Sequence, residues 1–168
     1  MQPTTLAAPS PGAAVTSPSA GPETAAATAP VLPAEAREQT AAGAIAFARH
    51  YFAVVDYAYA TGDTAPLAAV SDPACRPCAG VKDMIDTTVL AGGSWETEPT
   101  MVTEVSIPEG EPVGAVNVLL TYSSETAREL SAAGDEVRTF TALLDQSEHL
   151  VLVPEGSSWL MFDYGDVV

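Results

Sequence analysis

At Trp95 the spacing of apolar residues changes period, and that change limits the fold more than any other feature of the chain. Before it, apolar side chains recur every three or four residues. The stretch "AEAREQTAAGAIAFARHYFAVVDYAYATGD" places Phe47, Tyr51, Val54 and Ala58 on one helical stripe, and Ala44, Ala48, Phe52, Val55 and Tyr59 on the adjacent one. A long, broadly buried helix is expected, opening at Pro33 with Glu35 and Glu38 in its first turn and ending at Gly62. Asp63 is placed to cap a short second helix over "TAPLAAV". Ser71 or Asp72, followed by Pro73, opens a third, whose apolar face runs through Val81, Met84, Ile85, Thr88 and Val89 to Gly92.

Beyond Trp95 the period is two. Met101, Thr103, Val105 and Ile107 alternate with polar neighbours, as do Val116, Val118, Leu120 and Tyr122, and "VRTFTALL", "HLVLV" and "WLMFDY" continue the pattern. The connections "EGEP", "AAGDE" and "PEGSS" are too short for the crossovers that parallel strands require, so consecutive antiparallel hairpins are expected. Helices first and strands after is the α+β pattern: three N-terminal helices packed on a curved antiparallel sheet of about four strands. The hairpin in "TYSSETARELSAAGDEVRTFT" is polar on both faces near its tip and is read as a solvated ribbon projecting beyond the core.

Residues 1–33 carry half of the chain's 14 prolines and almost no large apolar side chains. Such a segment buries too little to offset the entropy of ordering, so 1–33 is read as a disordered Pro/Ala/Ser/Thr-rich tether and 34–168 as the folded domain. Thirty residues of this kind reach on the order of 30 Å as a coil and about 90 Å as polyproline helix. The formal net charge is −16, from 22 Asp and Glu against 6 Lys and Arg, and Glu23 alone of the charged residues precedes residue 34. A surface this acidic repels phosphate, which argues against nucleic acid as a partner. No stretch is long and apolar enough for a membrane span, and "MQPTTLAAPSPG" has neither the basic nor the apolar part of a signal peptide. An exported form is therefore expected to have lost its signal.

Several segments together look familiar: the helix containing "AFARHYF", the "TGD" that ends it, "SDPACRPC", "GSWETEPTMVTEV" and the closing "GSSWLMFDYGD". They resemble a family of actinobacterial lipoproteins with a domain of unknown function, similar in fold to the cone of nuclear transport factor 2 and ketosteroid isomerase. The resemblance spans residues 30–168. It implies a cystatin-like cone held by a lipid-modified cysteine, outside this sequence, to the outer face of the cell membrane. It implies no catalytic residues.

Cys75 and Cys78 form the C-x-x-C of "SDPACRPCAG". A redox dithiol belongs just after a buried strand at a helix start; here the helix start is present and Arg76 could favour a thiolate, but what precedes is helix and loop. A zinc site would have to recruit His50 and His149 from distant elements. The favoured reading is a disulfide that fixes the turn into the third helix, as suits an oxidising compartment; no metal and no cofactor are expected.

Cones of this kind often keep a pocket at the open end. Acid-base candidates are His50, Tyr51, Asp56, Tyr57 and Tyr59 on the helix, and Asp145, His149 and Asp163 on strands. Asp56, His50 and Tyr57 are the weak catalytic candidates: His50, beside Arg49, is read as surface, whereas Asp56, between Val55 and Tyr57, could face a cavity. Trp95, Trp159 and Tyr51 are candidates for a ligand or partner patch. The expected function is a non-catalytic envelope domain that binds a small ligand or an envelope protein. Alternatives are an isomerase- or dehydratase-like enzyme using the pocket, and a thiol redox protein.

Overall fold

Thr40 sets the start of the long helix. In the computed structural model, which describes residues 27–108 and 114–166, its side chain accepts the Gly43 amide at 3.1 Å, and α1 runs Ala41–Thr61. The helix therefore opens later than Pro33. Glu35–Arg37 form a separate 3₁₀ turn and Glu38 is extended (φ −94°, ψ 134°), which removes Glu35 and Glu38 from the helix dipole they were expected to favour. The turn lies hard against α1: a Cβ on Gly43 would come 1.9 Å from the Glu38 carbonyl oxygen, so only glycine permits the approach. At the other end Gly62, left-handed at φ 74°, donates its amide to the Ala58 carbonyl at 2.8 Å and ends α1 as expected.

Asp63 does serve the second helix, α2 (Ala65–Ala69), accepting the Ala65 amide at 3.0 Å. The third, α3 (Arg76–Leu90), starts three residues beyond Pro73. Cys75 is its N-cap, with Sγ accepting the Cys78 amide at 3.2 Å, and Asp72 instead shapes the preceding turn by accepting from the Ala74 amide at 2.7 Å.

The strands are β1 (Ser94–Glu96), β2 (Met101–Ser106), β3 (Val116–Ser124), β4 (Ala127–Leu130), β5 (Glu136–Phe140), β6 (Leu143–Glu155) and β7 (Ser158–Asp166). Every strand pairing is antiparallel, and the α+β expectation holds at that level. One sheet of about four strands was expected; there are two, ordered β2-β3-β6-β7 and β1-β4-β5. The second arises because β3–β4 and β5–β6 are one long hairpin bent in the middle. An extra residue in β6 breaks register where Tyr122 faces Gln146 and Ser124 faces Leu143, and Asp145 there takes a left-handed φ of 49°. The ribbon thus does not project freely: beyond the bend, β4 pairs with β1 through Trp95 opposite Glu129, and Glu129 is buried.

Alternation puts Val118, Leu120, Leu150, Leu152 and Met161 of the larger sheet at 0–1% exposure, packed with Phe47, Tyr51 and Val54 of α1 and Ile85 of α3. The 3₁₀ turn is pinned to the far end of that sheet. Trp159 Nε1 donates to the Glu38 carbonyl at 3.0 Å and Ser158 Oγ to that of Ala36 at 3.2 Å. Residues 27–33 follow an irregular path from which Leu32 packs on the core, so part of the expected tether rests on the domain. The remainder of the tether, 1–26, and the "EGEP" turn lie outside the described residues. Among the described residues no helix is long and apolar enough to cross a membrane.

Candidate functional site

The two stripes of α1 have different fates. Phe47, Tyr51, Val54 and Ala58 are buried outright, whereas Phe52, Val55 and Tyr59 of the adjacent stripe are only half-buried, because they form the floor of a cavity of about 280 Å³. The cavity lies between α1, α3 and both sheets. Tyr122 and Glu148 line it from the inward faces of β3 and β6, continuing the rows that hold Leu120 and Leu150 in the core. On β7 the parity switches: Leu152 pairs with Met161 and Val151 with Asp163, so Phe162 bulges outward and Tyr164 turns into the cavity. Trp95 and Phe140 of the second sheet, with Val81 and Met84 of α3, supply the opposite wall.

Aromatic rings dominate this lining and fall into two runs. Tyr164, Tyr51, Phe52 and Tyr122 follow one another with centroids 6.2, 6.3 and 5.3 Å apart; Tyr59, Trp95 and Phe140 do so at 5.2 and 5.8 Å. Two polar atoms in these runs are buried without a protein hydrogen-bond partner, the Tyr51 hydroxyl and the Trp95 Nε1, on residues 2% and 7% exposed. Burial pushes the Tyr51 phenol up to about 12, the Ser71 hydroxyl acting the other way from outside ordinary hydrogen-bond geometry and the Glu148 charge adding to the rise. Tyr59 is likewise raised to about 12 by burial, and Tyr164 is raised further by burial and then by Tyr51 and Glu148.

Of the weak catalytic candidates, Asp56 alone lines the cavity. Its carboxylate accepts from the Thr100 amide at 2.9 Å and the Thr100 hydroxyl at 2.7 Å, which ties α1 to the start of β2. Burial raises its pKa and the two Thr100 bonds oppose the rise. With both oxygens engaged by one residue, Asp56 is built as a latch. Tyr57 points away from the cavity and donates to Asp63 at 3.2 Å. His50 is not on the surface as expected: it is 7% exposed, and burial lowers its pKa. The buried arc of α1 is wide enough to include position 50, between Phe47 and Val54, despite the exposed Arg49 beside it. His149 and Asp163 do not line the cavity and Asp145 serves the β6 bulge.

Trp95 and Trp159 make no exposed patch. Trp159 is a core residue, Trp95 a cavity wall, and Tyr51 belongs to both core and cavity. Of the lining residues, sequence reasoning did not single out Phe52, Tyr122, Phe140, Tyr164 or the charged Glu148. Its place two residues before Leu150, in phase with the inward row of "HLVLV", carried the signal. Tyr122 donates to its Oε1 at 3.0 Å.

Cys75 and Cys78 are joined in a disulfide with Cα atoms 5.3 Å apart, and both residues are almost fully buried. Among the described residues no group of three or more His, Cys, Asp or Glu is arranged to hold a metal ion.

The chain belongs to a family of unknown function, DUF6318, whose profile matches residues 20–161. No curated protein matches it. Among solved structures it is similar to the intermembrane space region of the chloroplast protein ARC6. The two share 12% sequence identity and a TM-score of 0.57, over 78% of this chain and 98% of that one. At that identity the likeness concerns the fold alone.

Proposed function

We propose that this domain is a non-catalytic binding module of the cell envelope, with the aromatic cavity as the site for a small, mostly apolar ligand. The observation that carries the reading is the wall itself: two runs of rings around about 280 Å³. Concave space lined mostly by aromatic and apolar side chains is the usual setting of a small-molecule site. The fold is read as a variant of the cone of nuclear transport factor 2, in which the bent ribbon forms a second sheet over the open end. The Pro-rich N-terminal segment and the buried disulfide support an extracytoplasmic, lipoprotein-type setting, tethered at the membrane's outer face as in the actinobacterial family the sequence resembles.

The enzyme reading is weaker because Asp56, the one of the three weak catalytic candidates that lines the cavity, is spent on Thr100. The redox reading is weaker because Cys75 and Cys78 are 1% and 3% exposed.

The test is a titration of ¹⁵N-labelled protein with indole, a neutral aromatic of suitable size. The chain has two tryptophans, one in the cavity wall and one in the core. The expected result is a saturable shift of the Trp95 side-chain N–H resonance with Trp159 unmoved, abolished in Val55→Phe, which adds a ring to the cavity floor. No saturable shift at Trp95, or equal shifts at both, would count against a ligand site here.

A further inference from the structure

The four-stranded sheet has two faces, and the core occupies one of them. Alternation sends Val118, Leu120, Leu150, Leu152 and Met161 inward, into the core they share with α1 and α3. Their neighbours point the other way. In the register of the sheet Leu119 stands opposite His149, Val151 opposite Asn117, and Val153 opposite Leu160. At the β7 bulge Phe162 joins them, 41% exposed. Leu119, Val151, Val153, Leu160 and Phe162 thus make one apolar patch across β3, β6 and β7, and among the described residues none of the five belongs to the core or packs on it.

Charge sets this face apart from the rest of the molecule. The chain carries a net charge of −16, yet from Asn117 to Ser123 on β3 and from Ser147 to Val153 on β6 no outward position holds a carboxylate, a lysine or an arginine. Acids stand at the borders, Glu104 on β2 and Asp163 on β7. Two copies of so acidic a chain repel one another in most orientations. Face to face across this sheet the repulsion is least, and each copy brings the other a matching apolar surface.

The area is sufficient for such a pair. Four strands about 4.8 Å apart, over the nine residues of β3 at about 3.3 Å each, present roughly 19 by 30 Å, or about 600 Å². Two copies would bury about 1,200 Å² in total, at the lower end of specific interfaces, where association is weak and reversible.

We propose that two copies of this chain associate through the outward faces of their four-stranded sheets, with Leu119, Val151, Leu160 and Phe162 at the contact. Sheets that pack in this way lie about 10 Å apart with their strands near −30°. The aromatic cavity is lined from the inward side, by Tyr122 and Tyr164, so the pairing leaves it open and the proposal stands apart from the ligand reading.

The test is sedimentation velocity of the full chain over a range of about 1 µM to 1 mM, with a monomer–dimer midpoint expected at about 10–100 µM. Raising NaCl from about 0.1 to 1 M shortens the screening length from about 10 to 3 Å and is expected to tighten the dimer, because the partners carry like charge. Phe162→Ser is expected to weaken it about tenfold or more, and Leu119→Glu, away from β7 on the same face, to do the same. Both side chains lie outside the core, so circular dichroism is expected to show the fold unchanged. Val137→Ser, at a 61% exposed position on the edge strand β5 of the other sheet, is expected to leave the dimer intact.

A monomer at every concentration and both salt levels would overturn the proposal. So would a dimer that salt dissociates, one that survives both Phe162→Ser and Leu119→Glu, or one that Val137→Ser weakens as much as they do.

Discussion

The Asp56 carboxylate and the His50 imidazole sit six residues apart on α1, and burial shifts them in opposite directions. Burial raises the Asp56 pKa above the ordinary 3.8, so what this group adds to stability is fully present below that pH and is lost as pH rises through the raised value. Burial lowers that of His50, so its contribution is complete above the ordinary 6.5 and is lost as pH falls through the lowered value. In urea denaturation, Asp56→Asn, which does not titrate, is expected to gain on the native protein as pH rises above 3.8, and His50→Gln to gain on it as pH drops below 6.5. A difference that stays flat with pH in either pair would contradict the burial of that group. Removing the latch altogether is a separate matter. Asp56→Ala leaves two Thr100 donors unmatched and is expected to cost about 1–3 kcal/mol at neutral pH.

At the scale of elements, the disulfide ring holds the N-cap of α3. Closing a loop of four residues stabilises by about 2 kcal/mol on the chain-entropy account, and the Cys75→Ala, Cys78→Ala protein is expected to lose that much while keeping its fold, by denaturation and circular dichroism. Since both sulfurs belong to nearly buried residues, alkylation after mild reductant is expected to find no free thiol until the protein is unfolded. At the end of α1, a Cβ on Gly62 would stand 2.7 Å from Val89 Cγ2 in a left-handed backbone. Gly62→Ala is expected to cost about 1 kcal/mol or more, read as a lower melting temperature. These elements were partly legible in advance: "TGD" encodes the C-cap, whereas the start of α3, expected at Asp72 and Pro73, lies at Cys75 and Arg76. The start of α1 was not, because Ala34 to Glu38 suits a helix locally while Trp159, 121 residues from Glu38, takes that residue's carbonyl and holds the segment apart.

Over the whole molecule, period and turn length disclosed the α+β class but not the division into two sheets. That division depends on β1, three residues long, meeting β4 across a ribbon bend set by the left-handed Asp145, and no local pattern reports such a pairing. The cavity was half legible for the same reason. Its α1 floor shows in the sequence as Phe52, Asp56 and Tyr59 on one face, an acid set between rings, whereas Trp95 and Phe140 reach it only because the ribbon folds back. The central claim, that this aromatic cavity is where the domain meets its ligand, is tested most directly by a crystal structure grown with indole. The account predicts density for the compound inside the cavity, its ring between Trp95 and Phe52. Density only at the outer surface, with the cavity closed by its own side chains, would contradict it.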